Sequence, residues 1–140
     1  MLENELENYI KGKYLGSGAY REVFVFALDP KFVVKIAKHG GREVNLLENR
    51  IWWEICYQKT LARWFAPVIS CSEAGKYLIQ KRVDMIPKKE YPKELPGFFT
   101  DTKYGNFGLL DNKFVCFDFG CFNVWESIKT NKTRKVKWWE

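Results

Sequence analysis

The chain has little of what simple sites and signals are built from, and each shortage excludes something. Its single histidine, His39, stands beside Gly40-Gly41 in a loop and reads as a surface residue, not a catalytic one. The four cysteines, Cys56, Cys71, Cys116 and Cys121, include no Cys-x-x-Cys pair. Scattered through expected strand and helix, they read as buried free thiols, with a metal cluster or disulfide framework as the weaker alternative. No Gly/Ser linker or low-complexity tract interrupts the sequence, so disorder is not expected outside the ends. No apolar run exceeds a few residues, and the start, Met1-Leu2-Glu3-Asn4-Glu5, is acidic and polar. That pattern excludes a membrane span and a secretory signal, and the expected location is the cytoplasm.

What is present is apolar and basic. Hydrophobic residues make up 46% and aromatics 17% of 140 residues, enough for one compact domain with a core but short for two lobes. The formal charge is +6, much of it in Lys129, Lys132, Arg134, Lys135 and Lys137 just before Trp138-Trp139. Such a tail suits nucleic acid or an acidic partner. The plainer reading is a solvated terminal segment whose tryptophans dock on the domain.

Asp101 to Gly120 carries the densest chemistry. Phe107–Leu110 and Lys113–Phe117 read as strands joined by a turn at Asp111-Asn112. Closing that hairpin makes Asn106 and Asp118 neighbours although they stand twelve positions apart in sequence. An amide oxygen beside a carboxylate suits a hard cation such as Mg²⁺ and leaves Asp101 to orient a hydroxyl.

Upstream, Tyr9–Leu15 reads as a strand, then Gly16-Ser17-Gly18, then a second strand through Leu28. The stretch after the glycines is strongly β-forming, so the loop joins two strands and does not open a helix as a Rossmann loop must. Its glycines would let backbone approach a phosphate. Phe32–Ala37 is a strand with one interior lysine, Lys35, which among apolar neighbours needs an anionic partner. Arg42 to about Trp64 has helical apolar spacing. Glu48, two turns in, is the favoured partner of Lys35, and Glu54 is the alternative. Ala66–Cys71 and Lys76–Lys81 form a second hairpin around Glu73-Ala74-Gly75. Pro87, Pro92 and Pro96 forbid a long helix between Val83 and Asp101.

Asp101-x-Lys103-x-x-Asn106 followed by Asp118-Phe119-Gly120 resembles the catalytic and metal-binding segment of protein kinases. Gly16-x-Gly18, Lys35, Glu48 and a hinge at Gln80–Val83 stand in the order of that family, over about residues 9–121. Asn45-x-x-Glu48-x-x-x-Trp52 is similar to a helix of small kinase-like proteins from bacteria and their phages. The resemblance implies an α+β fold. Residues 9–83 would form a kinase-like amino-terminal lobe with a five-stranded antiparallel sheet and one helix, 84–125 a reduced, carboxy-terminally truncated lobe, and 126–140 a basic tail.

It also implies roles. Gly16, Ser17 and Gly18 would cover ATP phosphates, Val23 adenine, and Lys35 would pair with the α/β-phosphates; Arg21, in place of the family's third glycine, would stiffen that lid or bring a cation near the phosphates. Asn106 and Asp118 would hold Mg²⁺, Lys103 would contact the transferred phosphate, and Asp101 would orient the hydroxyl of an acceptor, expected to be a protein. Phe99-Thr100 replaces the family's His-Arg, which argues against a phosphorylated activation loop. The expected activity is Mg²⁺-ATP-dependent phosphotransfer in the cytoplasm, that of the host if a phage encodes the chain. The rival is an inactive kinase-like module engaging a partner protein, with nucleic-acid binding by the tail a third reading. A second copy of the chain, as a homodimer, is another source for an acceptor surface.

Overall fold

The fold is α+β, a five-stranded antiparallel sheet with few helices, in a computed structural model that describes residues 2–120 and 132–140. Cys121 and Lys129 lie outside the described residues. The chain divides into two compact units, Met1–Arg50 with Pro67–Arg82, and Ile51–Ala66 with Val83–Glu140.

The first unit opens with helix α1 (Leu2–Ile10), followed by β1 (Lys11–Ser17). A strand over Tyr9–Leu15 is therefore corrected at its start, where Tyr9 and Ile10 complete a helical turn. Tyrosine and isoleucine favour strands, but Glu7 and Lys11 form a 3.3 Å ion pair at i,i+4, and the Tyr77 hydroxyl donates to Glu7 at 2.8 Å. These contacts override a weak local preference. Strands β2 (Arg21–Phe26), β3 (Phe32–Ala37), β4 (Val68–Cys71) and β5 (Tyr77–Lys81) complete the sheet in the order β1-β2-β3-β5-β4, every pair antiparallel. The β4–β5 hairpin turns as expected through Gly75, whose φ of +78° is left-handed. A Cβ there would fall 2.4 Å from the Arg42 carbonyl oxygen, so glycine is required both by conformation and by space.

Helix α2 (Arg42–Ile55) starts where expected but ends nine residues before Trp64, and a short α3 (Lys59–Ala62) follows. No glycine or proline explains the break. At about 100° per residue, a continued helix would keep Phe65 on the face that carries Ile51 and Ile55, so helical spacing does not explain the break either. Leu61, Phe65, Ile51 and Ile55 are all buried, at 6%, 2%, 3% and 0% exposure.

The second unit is held by aromatic rings. Phe65 lies with ring centroids 5.3 Å from Phe99, 5.1 Å from Phe119 and 6.3 Å from Phe98. After Val83 there is only a 3₁₀ turn at Lys88–Glu90 and a short strand β6 (Glu94–Pro96), then the hairpin β7 (Phe107–Leu110) and β8 (Lys113–Cys116). Among the described residues of the basic tail, 132–140, there is no helix. The tail forms β9 (Thr133–Lys135), antiparallel to β6, and Trp138 docks as the plainer reading expects. Its ring lies 4.8 Å from Tyr91 and 5.1 Å from Phe107, and its Nε1–H donates to the Pro92 carbonyl at 2.9 Å.

Candidate functional site

In the first unit the candidates fall on one sheet face. Antiparallel partners share a face, and Gly16, Val23, Lys35 and Leu78 form one row across β1, β2, β3 and β5. Arg21, paired with Ala37, is two residues from Val23 and therefore on the same side. Lys35 is 2% exposed and its Nζ donates to Glu48 Oε1 at 2.7 Å. Of the two acidic candidates, the ion pair is made with Glu48, which is fully buried; Glu54 is exposed. Burial alone would raise the Glu48 carboxyl, but the charges and hydrogen bonds of Lys35 and Arg21 outweigh it and bring it down to about 2.

Arg21 corrects the sequence reading. Its side chain is buried, not at the tip of the glycine loop, and Nη1 and Nη2 donate to the two Glu48 oxygens at 2.8 and 3.3 Å. Nη1 also donates to Asn45 Oδ1 at 3.1 Å. Asn45, fully buried, sends its own Nδ2–H to the Gly75 and Lys35 carbonyls at 2.9 and 3.2 Å. Neither role was assigned from sequence, yet a signal existed. Arg21, Val23 and Val25 alternate on β2, and that parity puts Arg21 on the lysine's face.

The glycine loop is closed by a Gly18 N–H bond to the Arg21 carbonyl at 2.9 Å, and Lys38 Nζ donates to the Gly18 carbonyl at 2.7 Å. A Cβ at Gly16 or Gly18 would meet nothing within 4 Å, and neither has a positive φ. The fold does not demand glycine at either position. What the missing side chains leave is open backbone that a ligand can approach.

In the second unit, Asp111 (φ 50°) and Asn112 (φ 64°) form the left-handed pair of a tight hairpin turn. The register Phe107↔Cys116 brings the outer ends together, and the Phe117 N–H donates to the Asn106 carbonyl at 2.8 Å. Asn106 is thereby beside the Phe117-Asp118 segment, and its Nδ2–H reaches Asp101 Oδ2 at 3.4 Å. Phe119 is buried against Phe65 while Asp118 is exposed. The donor set is thus one amide and exposed carboxylates. Among the described residues no group of three or more His, Cys, Asp or Glu gathers to hold a metal. Hard oxygen donors in small number fit Mg²⁺, which keeps waters and phosphate oxygens as most of its ligands, and fit Zn²⁺ poorly.

Lys103 lies with the chain's last residues. Its Nζ is 5.5 Å from the Trp139 ring centroid, the Tyr104 N–H donates to the Trp139 carbonyl at 2.8 Å, and the Trp139 N–H donates to the Thr102 carbonyl at 3.2 Å. Thr102 Oγ1 adds a 2.7 Å bond to the Lys137 carbonyl. Residues 137–139 thus strap the loop that bears Asp101, Lys103 and Asn106. No protein-family model matches the chain, and no curated protein matches it.

Proposed function

We propose that the chain is a Mg²⁺-ATP-dependent phosphotransferase acting on a hydroxyl of a protein, built as a minimal protein-kinase-like domain. The observation that carries this reading is the buried 2.7 Å pair of Lys35 and Glu48, on the sheet face that also bears Val23 in register with Gly16. A lysine this deep in a sheet has a chemical use when an anion comes to it. In this reading the sheet with α2 is a kinase-like amino-terminal lobe, and the loop and hairpin from Asp101 to Gly120 are the core of a reduced second lobe.

Bound ATP with Mg²⁺ supplies the transferable phosphoryl group. Gly16, Ser17 and Gly18 offer backbone to its phosphates, Lys35 pairs with them, and Val23 covers the base. Asn106 and Asp118 would hold the cation through oxygen atoms. Lys103 offsets charge on the moving group, and the exposed Asp101 carboxylate accepts the hydrogen bond of the incoming hydroxyl and holds its proton. Fixed charges of this kind supply most of phosphoryl-transfer catalysis.

Labelled ATP and Mg²⁺, added to the protein alone and with cell lysate, test the reading. Transfer to the chain or to a defined protein band is expected, and Asp118→Ala and Lys35→Met should each lower it at least 100-fold. Unaltered transfer in Asp118→Ala would sink the assignment. Nucleotide binding without transfer would favour the kinase-like partner-binding module instead.

A further inference from the structure

Glu48 is held by two cations, and they hold it differently. Lys35 reaches it with its ammonium, Nζ to Oε1 at 2.7 Å, whereas Arg21 spans the carboxylate with both terminal nitrogens, at 2.8 and 3.3 Å. A planar guanidinium fixes both the position and the plane of a carboxylate, which a point-like ammonium cannot do. Arg21 is itself aimed by Asn45 Oδ1, and Asn45 is anchored to the β3 backbone and the β4–β5 turn through the Lys35 and Gly75 carbonyls. Arg21, Asn45 and Glu48 therefore tie helix α2 to β2, β3 and the β4–β5 turn through bonds that do not pass through the Lys35 side chain.

We infer that Arg21 is the positioning residue of this cluster: it fixes Glu48 and helix α2 whether or not Lys35 is engaged elsewhere. Lys35 then serves a ligand phosphate without releasing the helix, because its ammonium carries three donors and Glu48 keeps the Arg21 fork. The helix needs no incoming nucleotide to set it. This rests on the reading of Lys35 as the phosphate-pairing lysine.

Hydrogen exchange over residues 42–50 of the unliganded chain, with Mg²⁺-ATP kinetics beside it, tests the inference in Lys35→Met, Arg21→Met and Arg21→Lys. Lys35→Met should leave exchange within threefold of the parent while transfer falls at least 100-fold. Arg21→Met should speed exchange tenfold or more and lower kcat, with KM for Mg²⁺-ATP within threefold. Arg21→Lys keeps the charge but loses the fork, and should fall between. If Arg21→Met does not fold, Arg21→Lys carries the same comparison. Equal acceleration in the lysine and arginine variants, or none in the arginine variants, would overturn the proposal. Absence of transfer in the parent chain would count against the phosphotransferase reading alone, since the exchange comparison would still decide which residue holds Glu48.

Discussion

Glu48 is the residue on which the first unit's polar interior turns. It is the carboxylate that Lys35 and Arg21, themselves 2% and 6% exposed, both contact. Removing the carboxylate that two buried cations share costs about 3–5 kcal/mol, because both lose compensation that water cannot restore. Glu48→Gln should therefore lower stability by about that much in urea unfolding, whereas Glu54→Gln, at an exposed position, should cost less than about 1 kcal/mol. Equal losses would mean that the carboxylate's charge is not what holds the cluster. Sequence reasoning reached Glu48 because a lysine among Val33, Val34, Ile36 and Ala37 demands an anion. It misplaced Arg21 because the resemblance to protein kinases put it in the glycine loop, while the strand parity that buries the side chain went unused.

At the scale of elements, the best-read feature is the β7–β8 hairpin, and the reason is local. A turn that needs two residues at positive φ restricts its sequence, and Asp111-Asn112 meets that restriction at 50° and 64°. Asn112→Gly should be neutral or stabilising by up to about 1 kcal/mol. Asn112→Val should cost about 1–2 kcal/mol, because a β-branched side chain resists the left-handed region. Thermal unfolding of the two variants checks this order, and its reversal would refute the turn geometry. Because this hairpin brings Asn106 to the Phe117-Asp118 segment, the valine variant should also weaken Mg²⁺ dependence if the proposed metal role holds. Elements defined by distant contacts were harder to read. Helix α1 depends on Glu7 meeting Tyr77, 70 residues away, and no glycine or proline announces the break after Ile55. Trp138 was expected to dock, but its partners Tyr91 and Phe107 follow from β6–β9 pairing that no local pattern announces.

At the scale of the whole molecule, the two units differ in what makes them sensitive to acid and in what reports on them. Both carboxyls held below their ordinary range among the described residues, Glu48 and Glu7, belong to the first unit. For Glu7, burial acts against the shift, and hydrogen bonds from Tyr77 and Lys11 with nearby positive charge outweigh it. A depressed carboxyl contributes stability that is complete above its unfolded value of 4.5 and is lost as pH falls toward its folded value, about 2 for Glu48. That linkage is on the order of 3 kcal/mol for Glu48, a large share of a small domain's stability. The second unit has the Phe65 aromatic cluster and, by position in the sequence, all six tryptophans. Tryptophan emission therefore follows the second unit, while far-ultraviolet circular dichroism also follows the sheet of the first. On acid titration the dichroism should begin to change between pH 4.5 and 2 before the emission shifts, and Arg21→Lys should move the dichroism curve alone to higher pH. Superimposed curves at every pH would instead show one cooperative transition in which the Glu48 cluster and the aromatic core fail together.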